Sequence, residues 1–347
     1  TSQMETFSSA KSMYHPHLLA CSFMLSAFVL YPLYGRTSAV LAALISLVTF
    51  TSQILELSLH DNLLRRIVPK GDSQNVYAVL PPREEHKQDL VLIGHVDSHR
   101  TPLIFQSQAW VKAFTVLSVI VIVLGLAQVV LYIIGSFTSW SWIWPVTIST
   151  AIGAVIMVAI FIQADRTPFS HGANDNATGA GLILTLAQHF QNEPLQNTRV
   201  WLVCTGCEEV LLYGAIDFFR RHTSELKNPV AVVFEMLGCA GPAWLTSEGI
   251  IIPFKSDRTL VQLAEQIAQA NPHLGVYPSS IYGGVTEMAA AVRAGVPAIT
   301  LDGMSPEGFA PYWHQVEDTY DKMDPEVMTR VYEYTWEYIK AIDSMTM

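Results

Sequence analysis

Six residues whose side chains can bind metal ions or move protons stand out, and four of them, His95, Glu208, Glu209 and Glu235, come at or shortly after the end of an apolar run; the other two are Asp175 and His314. The run Leu90-Val-Leu-Ile-Gly-His95-Val-Asp97 ends in His-x-Asp. A strand puts positions 95 and 97 on one side of the chain, so His95 can offer a ring nitrogen to zinc while Asp97 orients the ring through the other nitrogen. Gly172-Ala-Asn-Asp175-Asn-Ala-Thr-Gly179 reads as a tight loop entering a helix, with one carboxylate. Glu208 and Glu209 follow the apolar run Val200–Cys204, and adjacent acids at a buried strand end are costly unless something binds them. Glu235 follows Val230–Phe234, and Tyr312-Trp-His314-Gln-Val-Glu-Asp318-Thr comes late in the chain. Each alone has an ordinary reading: a satisfied structural histidine, a solvated Glu-Glu loop, a turn-forming aspartate. Together they supply ligands for two zinc ions, with one carboxylate left for acid–base work.

The elements that must position these residues alternate between strands and helices. Val76–Leu80, Leu90–Ile93, Val200–Cys204, Val230–Phe234 and Pro297–Leu301 read as strands. Thr178–Phe190 has Leu182, Ile183, Leu186 and Phe190 on one helical face. Further helices are expected at Ala215–Arg221, Thr259–Ala270 and Glu287–Arg293, and a last one opening at Asp324-Pro325-Glu326 with a cap, a first-turn proline and an acid. The alternation predicts an α/β three-layer sandwich with a mostly parallel central sheet. In such sheets, sites lie at the carboxyl ends of the strands.

The order His-x-Asp, Gly-Ala-x-Asp-Asn-Ala-Thr-Gly, Glu-Glu, an acid after a strand, and Tyr-x-His…Asp-Thr resembles the di-zinc exopeptidases. That family includes the bacterial leucyl aminopeptidases, aminopeptidase Y, glutamate carboxypeptidase and the glutaminyl cyclases. The resemblance covers about residues 73–100 and 168–343. It implies that Asp175 bridges two zinc ions, with His95 and Glu235 on one and Glu209 and His314 on the other. It makes Glu208 the general base that carries a proton from the attacking water to the leaving amine, and Asp97 the partner of His95. Tyr282, before Gly-Gly-Val-Thr-Glu, is placed like a tyrosine that assists the carbonyl oxygen in some relatives. Position 235 is Glu where many relatives have Asp, and Thr286-Glu287 replaces a common Ser-Asp, which leaves Glu287 as a supporting acid. His99 and His171 flank the first two motifs and read as polar rim residues.

The composition asks for more than a soluble peptidase. Hydrophobic residues make up 50% of the 347 and charged residues 14%, against about a quarter charged in soluble domains. No charge occurs from Ala113 to Ala164, room for two crossings at roughly 20 apolar residues each. Helices are expected at about 111–134 and 141–163, joined by the turn Gly135–Ser139, with Trp140, Trp142 and Trp144 as an interfacial belt. Ser12–Gly35 and Thr37–Leu55, separated by Arg36, predict a second hairpin at about 15–34 and 38–57. The expected layout is an N-terminal transmembrane hairpin (1–60), the first part of the peptidase domain (61–105), an inserted hairpin (106–166) and the second part (167–347), with about four transmembrane helices in all. Lys11, Arg65, Arg66, Lys70, Arg100, Lys112 and Arg166 fall on one side and Arg36 on the other, which predicts a multi-pass protein with a cytoplasmic catalytic side. His95 and Asp175 must reach one site, so the chain between them must cross an even number of times.

The expected partners are a peptide substrate and the lipid bilayer. A net charge of −10 argues against nucleic acid. Four cysteines form no disulfide framework, and Cys204-Thr-Gly-Cys207 reads as two half-buried thiols rather than a redox pair. The Asn176-Ala-Thr178 sequon lies inside the metal loop and is discounted as a glycan site. A start at Thr1 without Met is compatible with trimming. The leading expectation is a zinc aminopeptidase. Its rivals are a carboxypeptidase or dipeptidase using Arg100 or Arg293, a one-zinc glutaminyl cyclase in which His95 is no ligand, a non-catalytic membrane receptor, and a transporter. Uncharged helices weaken the last of these.

Overall fold

The computed structural model describes residues 2–138 and 140–345, so Thr1, and Ser139 in the expected turn, lie outside the described residues. One eight-stranded sheet is built from β1 (Ser2–Ala10), β2 (Lys70–Leu80), β3 (Gln88–His95), β4 (Thr198–Thr205), β5 (Pro229–Glu235), β6 (Ala243–Leu245), β9 (Tyr277–Ser279) and β10 (Ala298–Asp302). β7 (Ser247–Glu248) and β8 (Phe254–Lys255) form a small separate ribbon. The sheet order is β1-β2-β4-β3-β5-β10-β6-β9. β3 runs parallel to β4 and β5, β5 to β10, and β6 to β9, while the β2–β4 and β10–β6 pairs are antiparallel. β3 is buried along its whole length, as a strand with parallel neighbours on both sides requires.

Alternation along these strands divides two cores. Leu90, Leu92, Leu202, Val230, Val232, Phe234, Ile299 and Leu301 pack with the helices Thr178–Asn192, Arg258–Ala270 and Pro325–Ser344. The opposite face carries Trp201 and Tyr77, which meet Phe218 of the helix Tyr213–His222 edge-on. The helix Glu287–Arg293 packs against that helix and against β5 and β10. Asp324 caps the last helix by accepting from the Glu326 and Val327 N–H groups, as its position before Pro325 predicts.

By its contacts the chain falls into two units. One holds the sheet: residues up to Ser9, Gly71–His99, and from Phe169 on. The other holds Ala10–Lys70 and Arg100–Pro168. In this second unit the helices Arg36–Leu57, Gln108–Gly135 and the stretch Ile143–Asp165 are long and apolar enough to cross a membrane, and Tyr14–Leu30 is a shorter apolar helix of 17 residues. The expected single helix over 141–163 is interrupted: Pro145 lies in a short turn, Ile143–Val146, and Thr147 leaves helical geometry before Ile148–Asp165 continues. Gln128 and Glu56, both buried in this unit, find polar partners. Gln128 donates to the Met24 carbonyl (3.1 Å) and to Ser46 Oγ (3.2 Å). Glu56, 1% exposed, is held by Arg65 Nε at 3.0 Å and by Asn62.

Candidate metal centre

The carboxyl ends of β3, β4 and β5 meet, and each delivers an acid or an imidazole. His95 is the last residue of β3 and Glu235 the last of β5. Parallel pairing holds their strands side by side. Glu208 and Glu209 follow β4 by three and four residues, and Asp97 pins them: its two carboxylate oxygens accept the Glu208 and Glu209 N–H groups at 3.1 and 3.2 Å. The Asp97 carbonyl, not its carboxylate, takes the closest contact from His95 Nδ1 (3.0 Å); the carboxylate stands 3.7 Å away. Asp97 thus positions three site residues at once, and His95 Nε2 points into the cluster.

Asp175 sits in the turn Ala173–Ala177 that opens the helix Thr178–Asn192. Its loop is fastened on both flanks. Asn176 donates to the Phe234 carbonyl (2.7 Å) and accepts from the Gly179 and Met236 N–H groups. Asn174 Oδ1 accepts from the Gly238 N–H, and Thr178 Oγ1 from that of Leu237. A Cβ at Gly179 would lie 2.5 Å from Asn176 Oδ1 and 2.7 Å from the Phe234 carbonyl, so the last glycine of the motif permits the close approach of loop and strand. On the other side Asp318, fully buried, accepts the consecutive N–H groups of Asn174 (2.6 Å) and Asp175 (3.1 Å). His314 lies four residues before it, in left-handed backbone (φ 54°), a conformation costly for a non-glycine residue and frequent at functional sites.

The geometry is that of one carboxylate between two imidazoles. Asp175 Oδ1 is 3.2 Å from His95 Nε2, and Asp175 Oδ2 is 3.4 Å from His314 Nε2. Glu235 Oε1 approaches His95 Nε2 at 3.5 Å and Glu208 Oε2 at 3.9 Å, while Glu209 Oε2 lies 3.2 Å from His314 Nε2. The longer arm of Glu235 therefore reaches the same imidazole that Asp175 faces. Burial pushes the Glu208, Glu209 and Glu235 carboxyls well above the usual range; His95 pulls each back, while neighbouring acids add to the rise, Glu209 and Glu235 for Glu208 and Asp175 for the other two. Burial would lower His95, yet Glu235, Glu208 and Asp175 together hold it well above an ordinary histidine. His314 is pushed down to about 4 by burial. So many buried acids call for cationic charge among them. The donor set of imidazole nitrogens and carboxylate oxygens suits zinc, and Glu209 Oε1 and His95 Nε2 are buried with no hydrogen-bond partner among the described residues.

Of the residues singled out from the sequence, His95, Asp97, Asp175, Glu208, Glu209, Glu235 and His314 converge here. Tyr282 does not join them: it is 89% exposed, on a loop pinned by the Gly249–Gly284 bridge. Glu287 is fully buried and accepts from Thr205 Oγ1 at 2.8 Å, one strand residue beside His95. Cys204 and Cys207 are free thiols; burial raises the first to about 11 and raises the second as well, so neither has thiolate character. Two residues escaped the sequence reading. Asp318 carried no assigned role, although the spacing His314-x-x-x-Asp318 marks a turn returning to one place. His99, read as a rim residue, is 3% exposed and stacks on His314.

A mostly parallel α/β sheet with a buried cluster of imidazole and carboxylate donors at its strand ends is a scaffold suited to metal-dependent hydrolysis. The chain belongs to peptidase family M28, whose model matches residues 158–339, just over half of it. It is 24% identical over 186 residues to the probable lipoprotein aminopeptidase LpqL of Mycobacterium tuberculosis, covering 46% of this chain and 37% of that protein. It is also 24% identical over 173 residues to aminopeptidase YwaD of Bacillus subtilis, covering 49% and 37%. The chain thus spans little more than a third of the length of these curated relatives. Among solved structures, the zinc aminopeptidase BSAP from Bacillus subtilis superposes with a TM-score of 0.51 at 15% identity over 78% of this chain and 50% of that one. A Bacteroides thetaiotaomicron glutaminyl cyclase gives 0.51 at 12% identity over 95% and 99%. At these identities the likeness is one of fold.

Proposed function

We propose that the chain is a membrane-bound zinc aminopeptidase that hydrolyses the first peptide bond of peptides. The observation that carries this is the placement of Asp175, with one carboxylate oxygen toward His95 and the other toward His314. Each oxygen has its own set of neighbours: His95 and Glu235 on one side, His314 and Glu209 on the other. In this reading two zinc ions are held, with Asp175 shared. When bound, zinc supplies Lewis acidity to the scissile carbonyl and to water. Glu208 is the acid–base group. Its backbone N–H is fixed by Asp97, and burial raises its carboxyl well above the usual range. It takes the proton from the attacking water and delivers it to the nitrogen of the departing amine. Tyr282, where it stands, contributes no contact to this step.

In the same reading the three long apolar helices and Tyr14–Leu30 form two transmembrane hairpins, and the sheet unit lies on the cytoplasmic side. The second hairpin interrupts the peptidase sequence between His95 and Asp175, so an even number of crossings returns the chain to the side it left.

Purified protein in detergent tests the proposal. It should contain zinc, cleave aminoacyl anilides and C-blocked dipeptides, and spare N-blocked ones. Cleavage of N-blocked peptides would move the activity to the carboxypeptidase class. Cyclisation of N-terminal glutamine with a single zinc would move it to the cyclases. Absence of zinc would remove the catalytic reading altogether. Protease protection in sealed vesicles tests the orientation, which a shielded lumenal sheet unit would overturn.

A further inference from the structure

Resting on the membrane reading of the helical unit, and not on the metal site, we infer that the end of this unit bearing Lys11, Lys112 and Arg166 is a docking surface for the headgroups of anionic lipids. Charge is divided unevenly along the chain. Ala10–Lys70 and Arg100–Pro168 together hold eight Lys and Arg against three Asp and Glu, a net +5, although the whole chain is −10. Arg36 stands apart from the other cations, donating from Nε to the Ser136 carbonyl beyond the far end of Gln108–Gly135. The remaining seven gather at one end of the helices. Lys11 precedes Tyr14–Leu30, Lys112 lies in the first turn of Gln108–Gly135, and Arg166 follows Ile148–Asp165. Ring contacts put these three at one level: Phe161 meets Tyr14 at 6.0 Å and Phe114 at 6.4 Å. A 2.8 Å contact between His17 Nδ1 and Gln53 Nε2 brings the end of Arg36–Leu57, and with it Arg65, Arg66 and Lys70, to the same place.

The three acids of this unit already have partners. Glu56 pairs with Arg65, Asp61 with Arg66, and Asp165 with Arg100 and His15. Lys11, Lys112 and Arg166 are exposed and form no ion pair among the described residues. Apolar side chains are exposed among the cations: Leu63 and Ile67, four residues apart on the short helix Leu63–Ile67, and Trp110, two residues before Lys112. Aliphatic and indole side chains beside long cationic arms suit the depth where acyl chains give way to headgroups. A zwitterionic headgroup brings no net charge to this surface, whereas an anionic one brings the charge it lacks.

The test reconstitutes the full chain into bilayers of equal parts phosphatidylcholine and phosphatidylglycerol. Native mass spectrometry then counts the lipids retained on mild detergent extraction. Retained lipid should be enriched about threefold or more in phosphatidylglycerol at about 0.1 M salt. The enrichment should vanish at about 1 M salt, where the screening length falls from about 10 to about 3 Å. A triple variant, Lys11→Gln, Lys112→Gln and Arg166→Gln, should lose it at low salt, and the charge-keeping set Lys11→Arg, Lys112→Arg and Arg166→Lys should retain it. Equal retention of both lipids by wild type, or enrichment that survives in the neutral variant, overturns the inference. So does displacement of the lipid by millimolar glycerol phosphate, which would mark a site for a free phosphate group. Release of the protein from membranes by alkaline carbonate without detergent removes the membrane reading and the inference with it. Membrane-integral protein without enrichment removes the inference alone. The same cations bear on orientation, so protease protection checks how the neutral variant inserts. If it inserts wrongly, the salt dependence of wild type decides, and salt-insensitive enrichment overturns the inference.

Discussion

Asp318→Asn isolates the loop that presents Asp175. The native carboxylate accepts two consecutive buried N–H groups, one on each oxygen, at 2.6 and 3.1 Å. An asparagine has the same shape but one acceptor. One N–H then faces the new amide NH2, donor against donor, in a site with no exposure. The lost charge-assisted bond and the unsatisfied donor together cost roughly 2–4 kcal/mol. Part of this appears as lower stability. The rest appears as a poorly placed Asp175, for which a 10- to 100-fold loss of metal affinity is the usual scale of a supporting-residue change. His314 rides on the same turn, so Asp175 and the imidazole facing its Oδ2 loosen together. Zinc competition with a calibrated chelator and thermal unfolding of the metal-free protein separate the two effects. Wild-type zinc affinity, within about threefold, would show that the loop holds its shape without Asp318 and refute the reasoning.

Glu208→Gln keeps the backbone anchor to Asp97 and removes only proton transfer, so kcat should fall about 10²- to 10⁴-fold with zinc content unchanged, by anilide hydrolysis and metal analysis. Near-native turnover would remove Glu208 as the base. Glu248 is buried and raised to about 8, though the N–H groups of Thr286 and Ala289 and the Thr286 hydroxyl pull it back down. The folded protein therefore holds a proton that the unfolded chain has released above pH about 4.5, and stability falls as pH rises from there through about 8. Glu248→Gln should flatten that slope and leave the variant on the order of 2–4 kcal/mol more stable relative to wild type at pH 9 than at pH 4, by thermal or denaturant unfolding. A parallel pH dependence in the two proteins would contradict it. Arg65→Met strands the buried Glu56 carboxylate and should destabilise the apolar-helix unit by about 3–5 kcal/mol in detergent, with much of this restored by adding Glu56→Leu. No rescue in the double variant would show that the ion pair is not what holds that corner.

The catalytic half of the fold was legible because buried parallel strands read as unbroken apolar runs, and the acids ending those runs stood out against them. β3, β4 and β5 are such runs, and His95 and Glu235 are their last residues. β1 was not legible: Ser2–Ala10 has little apolar alternation and is recruited by pairing at the sheet edge, a tertiary effect. β6 and β9, three residues each, are too short for any period to show. Residue type revealed the clustered imidazoles and acids better than the residues that support them. The dual grip of Asp97 on the Glu208 and Glu209 N–H groups, and that of Asp318 on the Asp175 loop, are long-range backbone contacts that local spacing does not encode. His99 was misjudged as a rim residue because a histidine in a polar Ser-His-Arg stretch looks exposed until the chain folds back over it.

The central place of β3 also governs the order in which the protein can be made. Its hydrogen-bonding partners on both sides, β4 and β5, are translated only after residue 197, beyond the whole apolar insertion. At 5–20 residues per second, the most buried strand of the sheet waits on the order of ten seconds with both edges bare. Such a strand is an open template for pairing with another chain. The helices Tyr14–Leu30 and Arg36–Leu57 are already made by then, and Gln108–Gly135 and Ile148–Asp165 emerge during that wait. In the membrane reading they tether the nascent strand beside the bilayer, apart from other copies, until its neighbours arrive. Deleting Gln108–Asp165 should therefore damage yield and solubility more than the lost contacts alone would predict.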